Sequence, residues 1–197
     1  MNPFFSVVTV VWNNFSTIER TISSVLSQSF TNFEYIIIDG KSDDGTVEII
    51  KKYTTDSRLK FISEKDNGIY DAMNKGIKLS SGKFIHLLNS DDYYSSNDIL
   101  GVYHKFINKN NFKNVIIYAK MNLYLKNKFL KVMDPSKSYL KKNIKMNHPT
   151  WFVSNSIYRS IGNYDTNYKI AGDFDFALRC LNKKYFFHKL NYPTINF

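Results

Sequence analysis

With one cysteine, Cys180, in 197 residues, the chain can form neither an internal disulfide nor a paired-CxxC zinc site. A disulfide scaffold is excluded, and a reducing compartment is expected. Long apolar runs are also missing. The longest, Val115 to Ala119, is far shorter than the roughly 20 residues a membrane-spanning helix needs. Met1-Asn2-Pro3 leads directly into a strand pattern without a charged n-region, so a cytoplasmic protein without export signal or membrane span is expected. Glycine is sparse, at eight residues, and neither GxGxxG nor GxxxxGK[ST] occurs. Dinucleotide-fingerprint and P-loop binding therefore drop out. No stretch is rich enough in Gly, Pro or Ser to act as a linker, and 197 residues suit one domain. Its halves, 1–97 and 98–197, are expected to share one sheet.

What is present is a core-forming composition: 43% hydrophobic, 16% aromatic and 22% charged residues, the opposite of a disordered chain. The net charge of +10 is unevenly placed. Residues 1–100 carry 10 basic and 13 acidic side chains, whereas 101–160 carry 12 basic and only Asp134. The lysines are not interleaved with aromatics along one element in the manner of a nucleic-acid groove, so a nucleic-acid partner is not expected. Lys126, Lys128 and Lys131, with Lys137, Lys141, Lys142 and Lys145 behind them, read either as solvated surface or as weak, salt-sensitive docking to an anionic membrane without an inserted anchor.

The β-branched run from Phe4 to Val11 suits a strand buried on both faces. Ile18, Ile22, Val25 and Leu26 then fall on one helical face, with Ser16 and Glu19 spaced as a capping box. The alternation repeats. Strands are expected over 33–38, 59–63 and 84–88, with helices over 46–53, capped by Asp44, and 69–79. A further helix follows Asn97 as cap. This order predicts an α/β fold with a mixed, mainly parallel sheet and helices on both faces. Beyond residue 110 the pattern predicts a hairpin around Lys126-Asn127-Lys128, a strand over 148–153, helices over 156–161 and 174–183, and a strand-like tail over 185–197.

Ligands of open parallel sheets bind outside the carboxyl ends of the strands. Here those ends read Trp12-Asn13-Asn14, Asp39-Gly40-Lys41-Ser42-Asp43-Asp44 and Asn89-Ser90-Asp91-Asp92. So acidic an edge repels a bare phosphate, and it suggests a divalent cation with a diphosphate.

Taken in order, SVVTVVWNN, SVLSQSF, NFEYIIIDGKSDDGT and DNGIYDAMNKGIKLSSGKFIHLLNSDD, then HPTWFVS and IGNYDTNYKIAGDFDFALR, resemble the blocks of family-two inverting glycosyltransferases of the GT-A (Rossmann-like) fold. The resemblance covers about residues 5 to 182. It implies a nucleotide-sugar donor, most often a UDP-sugar, a saccharide or lipid-linked saccharide acceptor, and a role in bacterial polysaccharide or cell-envelope biosynthesis. Asp39 is implied to accept a hydrogen bond from the nucleobase in a pocket that Thr9 lines, with Asn13 and Asn74 contributing to donor binding. Asn89-Ser90-Asp91 occupies the D-x-D position. Asp91 is then the ligand of Mg²⁺ or Mn²⁺, Asn89 and Ser90 bind the nucleotide sugar, and Asp92 is a second candidate.

Asp173 aligns with the family's general base. Asp175, two residues on, cannot share its helix face and reads as a supporting acid. His148 and Trp151 are candidates for lining the sugar pocket. Three positions depart from the pattern: Asn89 replaces the first acid, Gly172 the usual Glu, and Met73 an Arg, with Lys75 reading either as its substitute or as an ordinary exposed helix lysine. Relatives usually run past Phe197, so a C-terminal continuation is expected. The other readings are a nucleotidyltransferase and a catalytically degenerate nucleotide- or nucleic-acid-binding protein.

Overall fold

The computed structural model describes residues 2–135 and 147–197. Lys137, Lys141, Lys142 and Lys145 lie outside the described residues. The first half alternates as its pattern requires, through β1 (Phe5–Val11), α1 (Ile18–Leu26), β2 (Phe33–Asp39), α2 (Thr46–Lys51), β3 (Leu59–Ser63), α3 (Ile69–Leu79) and β4 (Phe84–Leu87). After the two-residue β5 (Tyr93–Tyr94) come α4 (Ile99–Lys109), the hairpin β6 (Val115–Leu125) and β7 (Lys128–Met133), a 3-10 turn (His148–Thr150), β8 (Phe152–Ser154), α5 (Asn155–Ile161), α6 (Gly172–Asn182) and β9 (Phe186–Asn196). These strands build one nine-stranded sheet ordered β3-β2-β1-β4-β8-β6-β9-β5, with β7 beside β6. The pairs β1–β2, β1–β4 and β2–β3 are parallel, and β8 joins the two halves by running antiparallel to both β4 and β6.

Successive strand residues point to opposite faces, and each face has its own core. Phe5, Val7 and Val11 of β1 pack with Ile18, Ile22 and Val25 of α1, Ile49 and Ile50 of α2, and Ile99, Leu100 and Tyr103 of α4. Val8 and Val10 pack with Met73 and Ile77 of α3, Ile157 and Tyr158 of α5, and Phe176, Ala177 and Cys180 of α6. Gly76 permits the close approach of α3, since a Cβ there would stand 2.2 Å from Val8 Cγ1.

The helix starts differ from the expected caps. Ser16 and Glu19 form no capping box. Helix α1 begins at Ile18, whose N–H donates to the Asn14 carbonyl, while Glu19 accepts from the Tyr53 hydroxyl. Asp44 does cap α2, from one residue further out, by accepting from the N–H and hydroxyl of Thr46 at 3.0 and 2.6 Å. Asn97 is not the cap of α4, which starts after Asp98. Pro149 turns the expected strand at 148–150 into a 3-10 turn.

His86 of β4 is fully buried. Its Nε2 lies 2.8 Å from the Pro149 carbonyl, which can only accept, so Nδ1 accepts from the Tyr94 hydroxyl at 2.7 Å. The ring therefore ties β4, β5 and the 3-10 turn together. Burial pushes its pKa down to about 3, outweighing the Pro149 hydrogen bond.

Candidate active site

A cleft of about 410 Å³ opens at the carboxyl ends of β1 and β4 and the start of α3. Val10, Trp12, Ile69 and Ala72 give it apolar walls, and Asn14, Asp66, Asn89, Ser90 and Asp91 supply polar groups. Trp12 stands at its mouth, 70% exposed. A larger cavity, about 500 Å³, lies at the amino ends of β1 and β4, among Phe4, Lys83, Lys113 and Arg159. The acid-bearing loops are at the other end of the sheet, beside the smaller cleft.

Paired side chains brace the loops around the cleft, although Asn13 itself is exposed and does not line it. Asn13 and Asp43 exchange two hydrogen bonds of 3.0 Å, and the Asn13 N–H donates to Ser42 Oγ. Asn14 donates to Ser90 Oγ at 2.8 Å and accepts from Thr17, while the Ser90 carbonyl accepts from Thr17 and Thr21. Ser90 is thus fixed from three sides. Asn89 donates to Asp92 at 3.2 Å, and its buried Oδ1 has no partner among the described residues. The exposed Asp91 carboxylate stands between this cleft and a smaller one lined by Arg20, Tyr124 and Lys126. Arg20 donates to the Asp91 carbonyl. Burial, then the charge of Asp91, pushes Asp92 up to about 8 despite the Asn89 hydrogen bond.

Several sequence-predicted residues do other work. Thr9 does not line the cleft: on β1 it shares the side of Val7 and Val11, is fully buried, and accepts from the Tyr35 hydroxyl at 3.0 Å. Asp39 lies at the end of β2 with both oxygens taken by Ser42 and Ser63. Asn74 gives both polar ends of its amide to the backbone of Tyr164, at 2.8 and 3.0 Å, and is a strut between the halves. Met73 is core. Lys75 is held by Glu64 and Asp71 and donates to the Lys65 carbonyl, so it replaces no phosphate-binding Arg. Trp12 and Asn14 are gains that a strand-end position flags but does not prove.

Asp173 sits half-buried in the first turn of α6. Its charge acts on Tyr70, His148 and Tyr164. His148 Nε2 lies 3.0 Å from the Tyr164 hydroxyl, and burial holds its pKa below the ordinary His value against the pull of Asp173. Trp151 belongs to the core, edge-on to His148, with its buried Nε1 unpartnered among the described residues. Asp175 accepts from Arg179 at 2.8 Å, and Arg179 also donates to the carbonyls of Ile161 and Asn163. The first turn of α3 touches both sides of the site. Ile69 and Ala72 line the cleft, and Tyr70 contacts Gly172.

Among the described residues no three His, Cys, Asp or Glu side chains cluster as a metal site. A hard cation would instead take oxygen from Asp91 and from the partnerless Oδ1 of Asn89, completing its shell with phosphate and water, as Mg²⁺ commonly does. The residues present fit such an ion.

The sheet is evenly mixed rather than mainly parallel, with four parallel and four antiparallel strand pairings among the described residues, and, covered by helices on both faces and tipped by this acidic cleft, it has the architecture of a GT-A glycosyltransferase. The model of glycosyl transferase family 2 matches residues 6–164, and the chain belongs to that family. The match ends before α6, so it does not reach Asp173. A PGL/p-HBAD biosynthesis glycosyltransferase of Mycobacterium tuberculosis (strain ATCC 25177 / H37Ra) is 27% identical over 183 residues, covering 91% of this chain and 70% of that protein. Among solved structures, S. aureus TarS 1–349 in complex with UDP-GlcNAc superposes with a TM-score of 0.80 at 20% identity over 100% of this chain. The Pyrobaculum calidifontis mannosyltransferase PcManGT, in complex with GDP-Man and Mn²⁺, gives 0.73 at 16% identity over 98%. This chain spans 58% and 55% of those two chains.

Proposed function

We propose that the chain transfers a sugar from a UDP-sugar to a saccharide or lipid-linked saccharide acceptor, with inversion, in bacterial surface-polysaccharide synthesis. The observation that carries this is the pairing of a donor-sized cleft, tipped by Asp91 and the partnerless Asn89 Oδ1, with a second acid, Asp173, across the first turn of α3. The UDP-GlcNAc and GDP-Man complexes of the structural neighbours support a nucleotide-sugar donor.

In this reading the base stacks between the apolar walls near Trp12, and Asn89 and Ser90 hold ribose and phosphate. Mg²⁺ or Mn²⁺ bound at Asp91 and Asn89 would supply positive charge against the departing diphosphate. Asp173 takes the proton of the acceptor hydroxyl as that oxygen bonds to the anomeric carbon. The bond from that carbon to the diphosphate oxygen breaks, the electron pair leaves with UDP, and the configuration inverts. Asp175, held by Arg179, is left to fix α6.

A panel of α-linked UDP-sugars incubated with Mn²⁺ and candidate acceptors tests the reading. UDP release with a β-linked product by NMR is expected. An α-linked product rejects single displacement. UDP binding without turnover of any donor favours the degenerate binder, and pyrophosphate release from a nucleoside triphosphate favours a nucleotidyltransferase.

We further assign the β6–β7 hairpin as the face toward a lipid-linked acceptor. Lys126, Lys128 and Lys131 stand beside Leu125, Phe129 and Leu130, which are 51–61% exposed, a pairing of charge and apolar surface suited to an anionic bilayer. Among the described residues no helix is long and apolar enough to cross a membrane.

A further inference from the structure

Position 172 departs from the family pattern, and the structure gives a spatial reason. A Cβ on Gly172 would stand 2.7, 2.9 and 2.9 Å from three ring carbons of Tyr70. That ring is no flexible tip. It is buried and stacks on Tyr164 at 5.5 Å with an interplanar angle of 22°. No side chain, least of all Glu, enters while Tyr70 keeps its place.

The ring also carries the atom that fills the vacated role. The first N–H groups of a helix have no partner inside it, and no side chain of α6's own entry residue caps them. The Gly172 N–H instead donates to the Tyr70 hydroxyl oxygen at 2.8 Å, across 102 residues of sequence. Asp173 is the next residue. Its carboxylate makes no hydrogen bond to another side chain among the described residues, so the start of α6 sets its place. Burial raises the Tyr70 hydroxyl above its ordinary value, and the charge of Asp173 adds to that rise.

We propose that Tyr70 is the positioning residue of Asp173: its hydroxyl anchors the first turn of α6, and its ring occupies the space of the Glu that the family usually carries at position 172. Tyr70 lies next to Ile69, which lines the cleft. The anchor therefore sets the base relative to the wall of the donor site. The inference rests on Asp173 being the base.

The test compares Tyr70→Phe, Asp173→Asn, Gly172→Ala, Tyr70→Ala and the double variant Tyr70→Ala/Gly172→Ala in steady-state kinetics, UDP calorimetry and thermal melts. Tyr70→Phe keeps the ring and its stacking. It should lower kcat about 10- to 100-fold, the scale of a base displaced by about an ångström, with donor KM and UDP affinity within about twofold. Gly172→Ala should be impaired alone, yet should cost almost nothing further in the Tyr70→Ala background, a non-additivity expected only of residues in contact. Wild-type kcat in Tyr70→Phe with an inactive Asp173→Asn overturns the positioning role and leaves the base in place. A Tyr70→Phe protein whose kcat, UDP affinity and melting temperature fall together overturns it too, showing a purely structural ring. Activity retained in Asp173→Asn removes the base assignment and this inference with it.

Discussion

Donor side and acceptor side are held together by different means. In residues 1–97 the loops after the strands brace one another: Asn13 with Asp43, Asn14 with Ser90, and Asp39 with Ser42 and Ser63. On the acceptor side the key groups depend on the other half. Tyr70 anchors Gly172, Asn74 clamps the Tyr164 backbone, and His86 bonds the Pro149 carbonyl. The cleft proposed for the donor is thus braced within its own half, whereas the wall proposed for the acceptor takes its position from side chains of residues 1–97. Substitutions at the seam should disturb chemistry while sparing nucleotide binding.

The largest expected effect breaks that comparison at the base itself. Asp173→Asn should leave UDP affinity nearly unchanged and lower kcat by about 10² to 10⁴, the usual worth of a positioned base. Asp175→Asn should mainly release Arg179 and lower the melting temperature. Steady-state kinetics beside calorimetry decides. If Asp175→Asn is the more damaging to kcat, the base is misassigned by one helix position pair. On the donor side, Asp91→Ala should remove the increase in UDP affinity that Mn²⁺ brings and lower kcat on the order of 10². Equal UDP binding with chelator present in the unaltered protein would dismiss the cation at Asp91.

Much of the donor half was legible because its periodicities are strong. The expected 69–79 helix and the 59–63 strand match α3 and β3 residue for residue; in the other half the Lys126-Asn127 turn, with φ of 48° and 63°, is the two-residue type that hairpins favour. Most of what failed depended on partners far along the chain, Thr9 being the exception. Tyr93-Tyr94 carries no period and becomes a strand by pairing with Ile195 and Asn196. Thr9 could have been read as inward from the alternation of Phe5, Val7 and Val11, but the family position drew it to the pocket. Asn74 looked like a ligand contact because nothing local shows that the Tyr164 backbone, 90 residues away, takes both its polar ends. The match of Tyr70 to Gly172 likewise exists only in three dimensions.

A smaller effect tests the seam by pH. Above the unfolded value of about 6.5 His86 is neutral in both states. As pH falls below it, the unfolded chain takes up a proton that the folded protein refuses until about pH 3. This contribution to stability is therefore intact above about pH 6.5 and is lost toward pH 3, by at most about 1.4 kcal/mol per pH unit. Urea unfolding between pH 7 and 4 should show a shallower loss in His86→Gln than in the unaltered protein. Equal slopes would mean that the folded seam accepts the proton after all.

The smallest effect concerns the outermost part of the acceptor side. Among the described residues β7 pairs only with β6, and its residues from Lys128 to Val132 are exposed, so none of the described residues covers either face. Lysines near an anionic surface contribute about 1 kcal/mol each, and salt screens them. Replacing Lys126, Lys128 and Lys131 by Gln should therefore weaken sedimentation with phosphatidylglycerol vesicles by on the order of 10²-fold at low salt if all three engage. Exposed Leu125, Phe129 and Leu130 change the expectation of an association wholly lost at high salt, because apolar burial is not screened by ions. A small salt-resistant fraction should remain and should vanish in Phe129→Ser/Leu130→Ser. No vesicle binding at low salt would return the hairpin to solvent, and binding that neither set of variants alters would place the contact elsewhere on the protein.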